Sequence, residues 1–466
     1  TDWTIEVWSD RAPSPISFEV VLEVSVTPAG RPATVTYQTG RTIPPTSDVE
    51  DLAIDVHPAG RATREPSLGS TSQGVLFTNE FQGILRSMDG GQSWRFLRPD
   101  VSAGELDADP WVWADPITDR VFRLSLQLGC SWLDISDDLG ETWTAQPLGG
   151  CGKPVHHYQK LTTGPPPAGV GTRGYPNVVY YVSAELLPHP LSANPLAGGT
   201  RTWITRSLDG GATWEPGQEL HPLRPGCAVF AGPVVVDASG TAYNAAQYCD
   251  GYRIAISRDG GRSWSEDAVL SLDGPRFGGI LGPDMAVDSE GGAYVVHPGD
   301  AGRLTLNYRD PRTGQWSAPI DATPPGLQAT TFPVIEAGEP GRVAIAFLGT
   351  TSDPDGWPTP NPSFATDDAS WHLHIVLATD AFEAGARFTS YQVTPDHDPV
   401  QRGCIWQEGP AAEEPCRNLQ DFIDMRQLDD RIVVAFVDGC IECLDAASSR
   451  GAWLHLLEAR GSLLSS

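Results

Sequence analysis

Seven short runs in this 466-residue chain, most of them headed by a small or acidic residue and proline, open an apolar, strand-like stretch. Five carry proline: Glu65-Pro66-Ser67-Leu68-Gly69, Asp109-Pro110-Trp111-Val112, Gly232-Pro233-Val234-Val235-Val236, Gly282-Pro283-Asp284-Met285-Ala286 and Thr331-Phe332-Pro333-Val334-Ile335. Two do without it: His157-Tyr158-Gln159-Lys160-Leu161 and Asp421-Phe422-Ile423-Asp424-Met425. Glu65, Asp109, Asp284, Asp421 and Asp424 have the side chains of general acid/base work, and Tyr158 sets a phenol at one of the same strand starts. His156, His157 and Gln159 add hydrogen-bonding groups. Arg64, Arg276, Arg402 and Arg417 lie close to these runs in the chain, and a guanidinium grips both oxygens of a carboxylate at once. Lysine occurs only at Lys153 and Lys160, so an anion site here must be built from arginine or backbone N–H groups.

Each residue also has a plainer role, as a strand cap, a partner for buried backbone or a contact for channel water. A metal held by His156 and His157 is not expected, because adjacent strand residues face opposite ways. The segment Asp353-Pro354-Asp355-Gly356 offers hard oxygen ligands and leaves room for a structural calcium, although no cofactor is required. No G-x-S-x-G elbow occurs, which removes the usual serine-hydrolase arrangement.

The elements that position these residues are strands. With 49 Gly, 41 Pro and 15 Trp between short Val/Ile/Tyr/Phe runs, the chain predicts many strands joined by tight turns, an all-β fold with few helices. Four octapeptides share the pattern S-x-D-x-G-x-x-W, starting at Ser87, Ser136, Ser207 and Ser257 and ending at Trp94, Trp143, Trp214 and Trp264. Their starts set a unit of about 50 residues, with an insertion between the second and third; a weaker copy ends at Gly314 and Trp316. Each position suits a hairpin turn. Ser and Asp bond turn backbone, Gly takes positive φ and Trp packs on the next sheet. Repetition at this period predicts a β-propeller of about seven four-stranded blades, six being the runner-up, over residues 61–466. Residues 1–60 read as a β extension or as strands that complete the last blade. The loops 162–175, 185–200 and 350–370, rich in Pro, Gly, Ser and Asn, are expected to decorate the ligand face.

The octapeptides resemble the Asp boxes of the sialidase superfamily (BNR repeats), over roughly residues 60–445. More closely, GPVVVDASGTAY between Cys227 and Cys249, the run FLGTTSDPDGW, and DPVQRGCIW with CRNLQDFIDM and VVAFVDGC resemble bacterial secreted exo-sialidase-like proteins. In that superfamily the box usually lies away from the ligand face. The resemblance implies an arginine triad, for which Arg64, Arg402 and Arg417 are the candidates. It implies a tyrosine nucleophile with a glutamate, matched by Tyr158 with Glu65, and an acid, matched by Asp109; Asp284 and Asp421 join the substrate-binding set. The family's early Arg-Ile-Pro is represented only by Arg41-Thr42-Ile43-Pro44, one residue out of pattern and upstream of the first blade. Hydrolysis of an anionic sugar is thus one reading. The alternative is a non-catalytic extracellular propeller that binds a polysaccharide or a protein. A third, a polysaccharide lyase, rests on Tyr158 with His157.

The formal net charge of −28 argues against nucleic acid as partner. Eight cysteines fall in local couples, Cys130 with Cys151, Cys227 with Cys249, Cys404 with Cys416 and Cys440 with Cys443, which read as disulfides of an oxidising compartment. No apolar run approaches the ~20 residues of a membrane span. The chain is therefore expected to be secreted or at the cell surface, with the N-terminus of a mature protein and a glycoconjugate or protein as partner.

Overall fold

The apolar runs form strands and the octapeptides close hairpins. A computed structural model of the chain describes residues 53–460 apart from loop segments, chiefly 100–107, 150–155, 188–197, 272–281, 353–368, 404–418 and 440–452. Among the described residues there are 29 strands and no α-helix. They form seven antiparallel sheets, six of four strands and one to which the short strand Gln401–Arg402 adds a fifth. Blades 1 to 6 span residues 68–97, 108–149, 156–219, 230–271, 284–321 and 329–392. Blade 7 takes three strands, Asp424–Leu428, Arg431–Asp438 and Trp453–Arg460, and borrows its outer one, Ala53–Ala62, from the opposite end of the chain. The innermost strand of each blade neighbours that of the next, and blade 7 returns to blade 1, so the ring is closed. The described residues of all seven runs lie on these innermost strands or lead directly into them.

Stacking each sheet between two others buries both of its faces, which explains why many strands read as continuous apolar runs instead of alternating. Val343–Thr350, VAIAFLGT, is buried at every position. Within each blade the chain meanders, so the turns after the first and third strands share one end of the ring, and the starts of the innermost strands lie at the other. The octapeptides are third-to-fourth-strand turns, so they sit opposite the channel mouth.

Their geometry repeats. The Ser87 hydroxyl donates to Asp89 Oδ1 at 2.7 Å and accepts from the Gly91 N–H at 2.8 Å, while Asp89 Oδ1 accepts from the Ser93 N–H at 2.9 Å. Trp94 Nε1 donates to the Gly91 carbonyl at 3.0 Å. The same bonds recur at Ser136 to Trp143 and Ser207 to Trp214; the fourth turn keeps the Ser257 and Asp259 bonds. The hydroxyl and N–H of Thr142 hold the Asp138 carboxyl down to about 2. In register, each serine lies opposite the first residue of the second strand, or the second residue in blade 3: Leu76, Val121, Val179 and Ala242. The residue after it is aromatic, Phe77, Phe122, Tyr180 or Tyr243, and the second glycine of the next blade's turn packs on that ring. A Cβ at Gly140, Gly211 or Gly261 would meet Phe77, Phe122 or Tyr180 at 3.5, 3.3 and 2.7 Å. The turns therefore clasp blade to blade as well as closing hairpins.

Ser207→Ala removes a fully buried hydroxyl that satisfies the Gly211 N–H. The expected cost is about 1–3 kcal/mol, the penalty for an orphaned buried donor. A urea midpoint within error of wild type would show that this serine holds nothing.

Candidate functional site

Near the head of four innermost strands one residue is forced into the left-handed region: Glu65 (φ 51), Asp109 (φ 49), Tyr158 (φ 53) and Phe332 (φ 53). Such conformations are costly for residues other than glycine and persist where the surroundings enforce them. Gly232 and Gly282 take the corresponding places in blades 4 and 5. The register slips at this point in blades 2, 3, 4 and 6, between Ala108 and Trp111, His157 and Lys160, Ala231 and Val234, and Thr331 and Val334. A bulge re-aims the side chains that follow it. Proline as second bulge residue in three of these four blades fits, since it has no N–H to give a ladder.

The re-aimed residues surround a cavity of about 50 Å³ on the ring axis, lined by Trp111, Tyr158, Lys160, Asp284, Phe332 and Asp424 among others. That is room for a few waters. The Lys160 ammonium lies 4.3 Å from the Trp111 ring centre and 4.6 Å from that of Tyr158. Asp284 Oδ2 accepts from the Ile335 N–H of blade 6 at 3.0 Å, and Asp424 Oδ2 accepts from the Leu68 N–H of blade 1 at 2.7 Å. One alternation deeper, Arg426 bonds Asp424 Oδ1 at 2.8 Å, faces Glu336 Oε1 at 3.7 Å and lies 4.9 Å from the Trp113 ring. Glu336 keeps 23% of its side chain open.

The channel thus gathers three carboxylates against two cations. Burial, reinforced by Asp424, pushes Asp284 up to about 7. Burial pushes Glu336 up to about 8 against the pull of Arg426, and raises Asp424 as well. At neutral pH the channel holds at least part of a proton between the two most shifted groups.

The expected residues fall into three sets. Glu65, Asp109 and Tyr158 come to the channel mouth on blades 1, 2 and 3, so the anticipated Tyr158–Glu65 partners sit two blades apart. Asp109 serves as a clasp: its Oδ2 accepts from the Tyr158 N–H at 2.9 Å and lies 3.5 Å from His157 Nε2, and its carbonyl accepts from Gln159 Nε2 at 3.0 Å. The Tyr158 ring packs edge-on against Phe230, with centres 5.2 Å apart, and a Cβ at Gly282 would come 3.0 Å from its hydroxyl. His156 turns away, its Nε2 bonded to the Tyr181 hydroxyl at 2.6 Å. Asp284 and Asp424 line the axis. Arg402 does not join them. It pairs with Ser370 at the third strand of blade 6 and donates to the His397 carbonyl at 3.3 Å, because the chain loops back after the blade's fourth strand. Arg64, Arg276, Arg417, Asp421 and the segment Asp353–Gly356 lie outside the described residues.

Sequence reasoning passed over Lys160, Glu336 and Arg426 as a set. The signals were present: Lys160 is one of two lysines, and Arg426 and Glu336 fall two and three residues beyond the quoted Asp424 and Pro333. Cys227 and Cys249 are bonded, with Cα atoms 5.6 Å apart, and Cys130 is disulfide-bonded too. Cys151, Cys404, Cys416, Cys440 and Cys443 lie outside the described residues.

No family model and no curated protein matches the chain. Among solved structures, the GH74 enzyme of Niastella koreensis shares 16% identity at TM-score 0.49 over 85% of this chain and 54% of its own. The NanB sialidase of Streptococcus pneumoniae, as its K499G mutant, shares 12% at 0.44 over 78% and 70%. YCF48, solved bound to D1 peptide, shares 12% at 0.45 over 91% and 99%. These likenesses carry nothing about chemistry.

Proposed function

We propose that the protein is an extracellular, glycan-directed propeller that seats one hydroxyl-bearing edge of a saccharide over the channel mouth, the cavity beneath admitting only water-sized groups, and does not cleave it. The supporting observation is the composition of that mouth: faces of Trp111, Tyr158 and Phe332 around one ammonium and two carboxylates. Aromatic walls with a few fixed polar groups are the usual make-up of small-ligand sites. Carboxyl oxygens beside an ammonium offer both acceptors and a donor to the hydroxyls of a sugar. Binding fits better than hydrolysis because Asp109, Asp284 and Asp424 are each committed to a backbone N–H of the neighbouring blade. The disulfide Cys227–Cys249 supports an oxidising location. This reading needs no cofactor.

One observation favours a second reading. A carboxyl held up to about 7, as Asp284 is, keeps its proton in the manner of a glycosidase general acid. Titration calorimetry with a panel of neutral and acidic oligosaccharides separates the two. A neutral oligosaccharide should bind wild type, and Lys160→Met, which keeps the apolar stem, should weaken it roughly tenfold by removing a charged hydrogen bond. Release of reducing ends by wild type that stops in Asp284→Asn would instead make the protein a hydrolase.

A further inference from the structure

At the end of the ring opposite the channel mouth, the succession of clasping turns breaks at blade 5. Arg309 stands opposite Ala293 in register, the place serine holds in blades 1 to 4. The hairpin runs Arg309-Asp310-Pro311-Arg312-Thr313-Gly314-Gln315-Trp316, so proline replaces the anchoring aspartate and threonine the second glycine. Nothing there can drop onto Tyr243 as Gly261 drops onto Tyr180. A cavity of about 570 Å³ remains between blades 4 and 5, with Tyr243 among its lining residues. This volume lies within the ~300–1,000 Å³ of small-ligand sites.

Three guanidiniums converge on the cavity, those of Arg258, Arg309 and Arg312. Arg309 is fixed: its Nε bonds Asp267 at 2.8 Å, its guanidinium lies 5.6 Å from the Tyr243 ring, and its side chain is 7% exposed. Arg312 is 87% exposed and held only by Asp310 at 3.3 Å, two residues away. Arg258 is exposed, and among the described residues it has no ion-pair partner. Facing them is Asp237. Its Oδ1 is used within its own turn, by the N–H groups of Ser239 and Thr241, while its Oδ2 points toward Gly291, where a Cβ would lie 3.4 Å away. Glu290 also lines the cavity.

The geometry points to a second binding site here, for an acidic saccharide: a sugar whose carboxylate or sulfate is taken by Arg258 and Arg312, and whose hydroxyls donate to Asp237. The arginines match the planar acid group, and the carboxylate opposite matches a hydroxyl and not a second anion. This site is independent of the reading of the channel and lies at the other end of the ring.

The test is calorimetric titration of the full chain with a glucuronate-containing oligosaccharide, its neutral glucose counterpart and sodium sulfate. The acidic oligosaccharide should bind, more weakly as salt rises. Arg258→Ala and Arg312→Ala, both at exposed positions, should each weaken it roughly tenfold, the loss of one charge-assisted hydrogen-bonding group. Glu290→Gln should tighten it, since it removes a repelling charge, and Lys160→Met in the channel should leave it unchanged. No binding, equal binding of the neutral sugar, or binding indifferent to both arginines would overturn the proposal; so would an effect of Lys160→Met alone, which would put the acidic sugar in the channel. Binding of sulfate with none of the oligosaccharide would reduce the site to an adventitious anion contact and overturn it also.

Discussion

Arg426→Met is expected to destabilise the ring by about 3–5 kcal/mol, the usual cost of removing one partner from a buried charge cluster. Arg426 is the cation that Asp424 bonds at 2.8 Å and Glu336 faces at 3.7 Å, and it lies against Trp113. Methionine preserves much of the stem's packing and none of the charge, so three carboxylates would share the channel with Lys160 alone. The loss should be partly recovered by Glu336→Gln in the same chain, because that substitution removes a charge the arginine compensated. A double-mutant cycle isolates this coupling. The readout is the shift in urea midpoint of the four proteins at pH 9, above the folded values of Asp284 and Glu336. A loss below about 1 kcal/mol, or no recovery in the double variant, would mean that the arginine merely fills space. The loss should also shrink near pH 6, where burial already keeps Asp284 and Glu336 protonated.

The same cluster shows where sequence reading reaches its limit. The hairpin turns were legible because everything they need lies within eight residues: a serine, an aspartate, a glycine and a tryptophan that bond one another. The innermost strands were legible for a similar reason, since a proline or glycine beside a bulge leaves a local mark. Asp284 and Asp424 follow directly from that mark. Glu336 and Arg426 do not, because their meeting depends on how blade 6 and blade 7 are staggered around the ring, and no local pattern encodes the stagger. Arg402 was misplaced for the same reason, as a segment that doubles back onto the third strand of its own blade leaves no periodic trace. The closing strand Ala53–Ala62 pairs with residues some 400 positions away, and such a pairing can be anticipated only as one of two options.

Raising the pH from 6.5 to 8.5 should weaken the folded protein by about 2–3 kcal/mol, as protons leave Asp284 and Glu336. Both have folded values, about 7 and about 8, above the ordinary 3.8 and 4.5 of the unfolded chain. The native state therefore holds protons that the unfolded state has already released, and stability falls as pH rises through the folded values. Asp424, raised by burial, acts in the same direction. Other groups act oppositely, but lower on the scale. Buried His221 and His374 are held down, to about 4 and about 3, so they disfavour the fold only as pH falls below their ordinary 6.5. The turn aspartates, with Asp138 held to about 2, are lost only in strong acid. Between pH 6.5 and 8.5 the channel carboxylates act with little opposition, and stability should peak at or slightly below the lower end of that window. Thermal midpoints at pH 5.5, 6.5, 7.5 and 8.5 trace the curve, and Asp284→Asn with Glu336→Gln should flatten its upper limb. Asparagine can still accept the Ile335 N–H, so the flattening reports the charge and not the clasp. A midpoint that rises from pH 6.5 to 8.5, or a slope the double variant leaves intact, would show that the channel acids are ionised throughout and that water reaches them far more freely than their packing allows.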